Sequence, residues 1–263
     1  MKQCPICNAE FKECFRGMIL QRYDVAYYQC EQCRFLQTET PYWLAEAYAR
    51  VLNLEDTGLV QRNIRFSELT AIMIYSSFKK DGIFVDYAGG CGLFTRLMRD
   101  IGFEFYWYDP YAQNILSCGL EFNKQLHQPV ELVTLFEALE HFVEPIAEFE
   151  KMLQISHTII FSTQFLPFPT PDLNQWWYYG SDHGQHVSFY SRETCQRIAK
   201  RLGLHFYSFH ELHMFSKEPI NGTWVNLLLR ASNWGVLRYI KSQLISKTES
   251  DYLHFHQRKV QSR

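Results

Sequence analysis

Apolar positions along the chain change period near residue 82. Over residues 42–80 they recur at helical spacing: Trp43, Leu44, Ala47 and Tyr48, then Ile64, Leu69, Ile72 and Met73 within Val60–Phe78. From 82 onward short apolar runs alternate with amphipathic stretches. Gly82–Tyr87, Phe103–Tyr108, Glu131–Phe136, Thr158–Thr163 and Leu204–Phe209 read as strands. Leu93–Asp100, Ile146–Leu153 and Arg192–Leu202 read as helices, the last stopped by Gly203. This alternation predicts an α/β fold with a doubly wound, mostly parallel, Rossmann-like sheet. In such sheets ligands sit beyond the carboxyl ends of the strands. The first 40 residues differ, with little helical period and short strands at Val25–Gln29 and Arg34–Thr38, closed by Thr40-Pro41.

That first stretch carries the sharpest metal pattern. Cys4-x2-Cys7 is followed after 22 residues by Cys30-x2-Cys33. Each C-x-x-C turn brings two thiolates to one side, and two such turns complete a tetrahedral sulfur shell that suits zinc. The expected site is closed and structural, in a small zinc-ribbon-like module, because some 40 residues bury little core alone. The other reading is redox-active or unconnected cysteines. Cys14 reads as a spare thiol, and Cys91, Cys118 and Cys195 are scattered.

The second pattern is Val85-Asp86-Tyr87-Ala88-Gly89-Gly90-Cys91-Gly92-Leu93-Phe94, a strand, a glycine-rich turn and a helix start. Glycine lets a backbone approach a ligand closely and take positive φ. About 20 residues on, Asp109 ends the next strand in Trp107-Tyr108-Asp109-Pro110-Tyr111, where a carboxylate can bond ribose hydroxyls. A dinucleotide fingerprint would need a third glycine where Thr95 stands.

Composition narrows the field. The 263 residues are 47% hydrophobic, enough for one α/β domain with an appendage. Lys+Arg number 26 against Asp+Glu 28, a net charge of −2, so no basic nucleic-acid face is expected. No run approaches the roughly 18 apolar residues of a membrane span. The opening Met1-Lys2-Gln3-Cys4-Pro5 lacks a signal-peptide pattern. The expected location is cytoplasmic, where paired thiols favour metal over disulfide.

Residues 82–165 resemble the class I S-adenosylmethionine-dependent methyltransferase family. The resemblance lies in Asp86–Gly92, Asp109-Pro110-Tyr111 and Val133–Pro145, the last similar to the family's F-E-V-L-E-H-x-x-D-P segment. Gly184–Ser191 resembles a further E-H-x-x-F-F-S element, and the four-cysteine piece is similar to a module fused to sugar C-methyltransferases. The resemblance implies a zinc-binding module at 1–40, a helical connector at 41–80, a cofactor-binding methyltransferase domain at 81–212 and a C-terminal helical extension at 213–263. It places Asp86, Ala88, Gly89, Gly90 and Gly92 at the methionine end of S-adenosylmethionine. It places Asp109 on the ribose, Pro110 and Tyr111 beside adenine, and Phe136 and Glu137 at the pocket's end. Ala88 departs from the family by replacing its first glycine, and fits if φ stays negative there.

Methyl transfer needs alignment of a nucleophile and, for some acceptors, removal of a proton. Glu140 and His141 follow the fourth parallel strand, where they either relay a proton or brace a helix start. The segment 164–189 is long and rich in Pro, Trp176, Trp177, Tyr178 and Tyr179, which suggests a lid with an aromatic face for a sugar ring. His186 is the first candidate base and His183 the second; as a metal pair they lack an obvious third ligand. The expected function is methylation of a small hydroxyl- or sugar-containing metabolite, such as a nucleotide sugar or surface-glycan intermediate. The alternatives are O-methylation of an aromatic or quinone-like compound, and a zinc-bearing scaffold that retains the cofactor fold.

Overall fold

The computed structural model describes residues 2–49 and 56–261. In chain order the strands are β1 (Lys2–Gln3), β2 (Glu10–Ile19), β3 (Tyr23–Cys30), β4 (Leu36–Thr38), β5 (Ile83–Tyr87), β6 (Glu104–Tyr108), β7 (Val130–Leu135), β8 (Thr158–Phe161), β9 (Ser188–Phe189), β10 (His205–Phe209) and β11 (Leu212–Ser216). The helices are α1 (Leu44–Ala47), α2 (Leu59–Ser77), α3 (Leu93–Ile101), α4 (Pro145–Leu153), α5 (Arg192–Leu202), α6 (Gly222–Arg230), α7 (Val236–Ser242) and α8 (Thr248–Gln261). Two compact units emerge: 1–56 with 136–154 and 161–218, and 57–135 with 155–160 and 219–263.

In the first unit β1-β2-β3-β4-β9 form an antiparallel sheet. β2 and β3 pair from Phe11↔Cys30 to Ile19↔Tyr23 across a turn in which Leu20 and Gln21 both take positive φ, 54° and 53°. Such a turn matches strand twist but ordinarily uses Asn or Gly. Leu20 is held there by its amide bond to the Ser181 carbonyl, 2.8 Å. β4 pairs with β9 through Leu36↔Phe189 and Gln37↔Ser188. The cysteine-bearing strands therefore share one core with the later segment: Ile19, Val25, Tyr27, Leu36, Trp43, Tyr178, Tyr179, Val187 and Phe189 are all buried in it. α5 starts at a capping box, with Ser191 Oγ accepting from the Thr194 amide and Thr194 Oγ1 from the Ser191 amide, and stops at Gly203 with φ 68°. β10 and β11 are an antiparallel hairpin.

In the second unit the strands run in the order β8-β7-β5-β6. β5 is parallel to both neighbours, with Asp86 opposite Trp107 and Thr134. A strand flanked on both sides and covered on both faces needs a continuous apolar run, and β5 is buried from Phe84 to Tyr87. α2 buries Phe66, Leu69, Ala71, Ile72, Met73 and Ile74. α8 is tied in by charge. Arg99 gives two hydrogen bonds to Asp251, from Nη2 to Oδ1 at 2.6 Å and from Nε to Oδ2 at 2.8 Å, and a third from Nη1 to Glu104 at 2.6 Å. Lys247 reaches Glu104 at 2.6 Å.

The predicted helices and parallel strands all appear within one to three residues of their expected bounds. Among the described residues four strands, β1, β2, β9 and β11, are additional. The expected helical extension 213–263 thus begins inside a strand and continues as α6, α7 and α8, with Gly235, φ 92°, immediately before α7.

Candidate functional site

In the second unit the glycine turn joins β5 to α3. Gly92, φ 85°, is the residue before α3, and Gly90 takes φ 53°. A Cβ on Gly90 would meet nothing within 4 Å, so the backbone there faces open space. A Cβ on Gly89 would instead lie 2.6 Å from Trp107 Cδ1 and 2.8 Å from Asp86 Oδ2, so glycine is required for close packing. Ala88 has φ 58°, not the negative value expected for alanine; the turn keeps its left-handed shape despite the methyl group.

Asp109 closes the arrangement. Its Oδ2 accepts the Gly90 amide at 3.0 Å, and its Oδ1 accepts the amides of Tyr111 and Ala112 at 2.8 and 2.9 Å. A carboxylate has about four acceptor positions, so three are used and one is left for a hydroxyl. Asp109 is therefore both the turn former before Pro110 and the clamp on the glycine turn. Asp86 lies beneath the turn, its Oδ2 accepting from Thr95 Oγ1 at 2.9 Å and its Oδ1 from Thr134 Oγ1 at 3.3 Å. Burial pushes its carboxyl up to about 7, against the two hydroxyl bonds. It supports the turn from below. Pro110 is exposed and Tyr111 is 92% exposed, so its ring is available to a flat ligand.

In the first unit two polar clusters form. The sulfurs of Cys4, Cys7, Cys30 and Cys33 all lie within 4.8 Å of one another. Cys4 and Cys33 are 3.6 Å apart, and Cys7 and Cys30 are 3.5 Å apart. A zinc–sulfur bond of about 2.3 Å implies tetrahedral edges of about 3.8 Å, so the thiols fit that ion. The two turns are built alike: the amides of Asn8 and Arg34 bond back to the carbonyls of Cys4 and Cys30, with φ 60° and 59°. α5 braces both, through Arg201 to the Pro5 and Ile6 carbonyls and through Ser191 and Thr194 to the Cys33 carbonyl. Cys14 stands outside the cluster, bonded to the Tyr27 carbonyl.

The second cluster is Glu140, His141 and His186, with one ligand atom of each within 4.8 Å of the others. Backbone ties bring them together: the Val187 amide bonds to the Glu140 carbonyl, Tyr190 Oη to that of Leu139 and Ser188 Oγ to that of Phe142. His186 Nδ1 is 2.6 Å from the Tyr178 carbonyl, and His141 Nδ1 is 3.1 Å from the Gln185 carbonyl. Burial lowers both imidazoles, His141 to about 4 and His186 well below its ordinary value, so both are neutral at pH 7. His183 is adjacent, its ring centroid 4.7 Å from that of His186. Phe136 and Glu137 also belong to this unit; Glu137, φ 50°, has its amide and one carboxylate oxygen bonded to Ser162 Oγ.

The expected aromatic lid is mostly core. Tyr178 and Tyr179 are each 1% exposed and Trp176 packs against them, leaving Trp177, 77% exposed, as the one outward ring of the four. The segment is folded into short 3₁₀ turns at Leu173–Gln175 and Trp177–Tyr179. The Glu140–His186 proximity is absent from sequence spacing, because it depends on long-range bonds from residues 187–190 to the carbonyls of residues 139–142.

A parallel β5–glycine turn–α3 unit with an acidic residue just past β6 defines a Rossmann-like α/β protein. A family model described as a methyltransferase domain matches residues 61–208, more than half of the chain, and the chain belongs to that family. It is an S-adenosylmethionine-dependent methyltransferase. No curated protein matches the chain. Similar solved structures include TnmH, 12% identical over 68% of this chain and 62% of that one, TM-score 0.48. A SAM-dependent methyltransferase of Thermotoga maritima is 14% identical over 67% and 100%, TM-score 0.46. Human N-acetylserotonin methyltransferase in complex with SAM is 13% identical over 67% and 66%, TM-score 0.42. The chain thus spans less than two thirds of TnmH and of the human enzyme. Among the described residues no helix is long and apolar enough to cross a membrane.

Proposed function

We propose that this enzyme methylates a small hydroxyl- or sugar-containing metabolite, with residues 1–40 as a structural zinc module, 41–80 as a connector, 81–212 as the catalytic domain and 213–263 as an extension. The observation that carries the cofactor assignment is the Asp109–Gly90 clamp beside an open backbone at Gly90. The cofactor supplies a methyl group on a sulfonium, already activated for displacement. The chain's own residues do the rest. The turn from Ala88 to Gly92 presents backbone to the methionine end, and Asp86 holds that turn in shape. Asp109 would offer its remaining acceptor position to a ribose hydroxyl, and the exposed Tyr111 ring would pack on the base. Phe136 and Glu137 keep their role at the pocket's end by resemblance alone. On the acceptor side His186, whose Nδ1 faces a carbonyl, has Nε2 available to take a proton, with Glu140 and His141 orienting it; His183, the second candidate, would first have to give up the Gln185 amide that its Nδ1 accepts. The preference for a sugar-linked acceptor rests on the likeness of the cysteine module to that of sugar C-methyltransferases.

Calorimetry with S-adenosylmethionine tests the first half. Asp109→Ala is expected to weaken binding about 10- to 100-fold, the worth of a hydrogen bond to a charged group. Unchanged affinity would refute the ribose role. A mass-spectrometric screen of nucleotide sugars against phenolic and quinone-like acceptors tests the second half. Methylation confined to the phenolic set would overturn the sugar assignment.

A further inference from the structure

We infer that Glu140, His141 and His186 form a binding site for one divalent transition-metal cation, distinct from the four-cysteine cluster. The three side chains come from two segments some 45 residues apart, yet each places a ligand atom within 4.8 Å of the others. Glu140 is only 1% exposed and the histidines are partly covered, so this is a built interior cluster.

The geometry of His186 is the main argument. Its Nδ1 lies 2.6 Å from the Tyr178 carbonyl oxygen. A carbonyl only accepts, so the ring hydrogen is on Nδ1 and the lone pair of the neutral ring is on Nε2. That nitrogen faces Glu140 Oε1 across 3.9 Å. The gap is too long for a hydrogen bond, and both atoms are acceptors. Metal–nitrogen and metal–oxygen bonds of about 2.0–2.2 Å let one cation touch both. His141 Nδ1 likewise lies 3.1 Å from a backbone carbonyl, that of Gln185, and 2.9 Å from Tyr48 Oη. A backbone carbonyl on the far nitrogen is how metal-binding histidines are commonly oriented. His183 is excluded as a ligand: its Nδ1 accepts the Gln185 amide at 3.2 Å, so its other nitrogen carries the hydrogen.

Two imidazoles and one carboxylate suit borderline cations such as zinc, cobalt, iron or manganese rather than calcium. Three protein ligands leave coordination positions open, unlike the closed sulfur shell of the cysteines. The inference goes beyond the proposed base role of His186, since a cation and a proton compete for the same Nε2 lone pair. It does not depend on the acceptor or on methyl transfer.

The test uses the full chain, without cofactor or acceptor, dialysed against Zn²⁺ and assayed for bound metal. Glu140→Gln and His186→Ala are each expected to lose one zinc equivalent relative to wild type. Wild type should hold two equivalents and each folded variant one, so the cysteine site is counted separately. If both cluster variants misfold by circular dichroism, X-ray absorption of the wild-type zinc decides. Imidazole scattering beside the sulfur signal is expected. Equal zinc content in wild type and folded variants, or a wild-type spectrum with sulfur alone, overturns the site.

Discussion

The glycine turn and the histidine cluster are two polar centres assembled in opposite ways. The turn draws on one run, 86–92, and on a second, 109–112, that follows the adjacent strand; its central contact, the Gly90 amide on Asp109, follows from β5 pairing with β6 in parallel register. The cluster joins residues 140–141 to residue 186 through bonds from the Val187 amide, Ser188 Oγ and Tyr190 Oη to the carbonyls of residues 140, 142 and 139, some 45 residues away. A centre built from consecutive residues keeps its shape by local backbone geometry. A centre built from distant ones keeps its shape only while the surrounding sheet is intact. Loss of the sheet should therefore destroy the second and spare the first.

The largest effect is expected from Cys4→Ser, or from a strong chelator. Metal coupling to folding in small zinc modules is on the order of 10 kcal/mol, and the cysteine turns anchor β1 and β3 of the same sheet. Zinc content should fall and the first unit should lose its cooperative melting transition, while S-adenosylmethionine binding survives in calorimetry. A variant that melts as wild type would show that the thiols do not hold the sheet. It would also erase the contrast between the two centres.

Next in size is Asp251→Ala, which probes what holds the second unit. Arg99 is buried, and Asp251 takes two of its hydrogen bonds. Removing one partner of a buried pair costs about 3–5 kcal/mol, with the lower end expected because Glu104 also bonds Arg99. The melting temperature read by calorimetry should fall accordingly. Burial pushes the Asp251 carboxyl up, but Arg99 and Arg96 outweigh it and hold the group below its ordinary range. A carboxyl lowered on folding contributes stability above its unfolded pKa of about 3.9 and loses it as pH falls through the folded value. Acid should thus weaken wild type more than the variant below about pH 4.

Asp86 has the opposite sign. Burial raises its carboxyl to about 7. The folded state then holds a proton that the unfolded state has released, so its contribution to stability is greatest below about pH 4, declines as pH rises to about 7 and is constant above. Asp86→Asn should remove that decline, giving a stability gain over wild type that grows across this window in denaturant titrations. A flat difference between pH 4 and 8 would mean that the group is solvated or ionised throughout.

These signs also mark what was legible in the amino-acid order. The period of apolar residues located α2, α3, α5 and the parallel strands, because each of these is set by near neighbours. The C-x-x-C spacing named the thiol set, since each turn needs only four residues. β2 went unread because its hairpin turns at Leu20-Gln21, two residues that carry no turn signature and are held by a bond to Ser181. Tyr178 and Tyr179 suggested an exposed face, yet they fill the core that β3 and β9 share, a partnership invisible to local pattern. The same long reach hid the Glu140–His186 pair and the docking of α8 through Asp251.

The smallest and most local effect belongs to the turn itself. Ala88 sits at φ 58°, a region costing a residue with a Cβ about 1–2 kcal/mol. Ala88→Gly relieves that cost but adds about 0.5–1 kcal/mol of unfolded-chain entropy. The net is a gain of about 1 kcal/mol or less, a rise of a few degrees at most in melting temperature. Affinity for S-adenosylmethionine should stay within about twofold, because the Gly90–Asp109 clamp is unchanged. A drop in stability instead would mean that the alanine methyl packs against the fold and offsets its own strain. The turn would then depend on tertiary contacts as the histidine cluster does, and the distinction between local and assembled centres would fail at its simplest point.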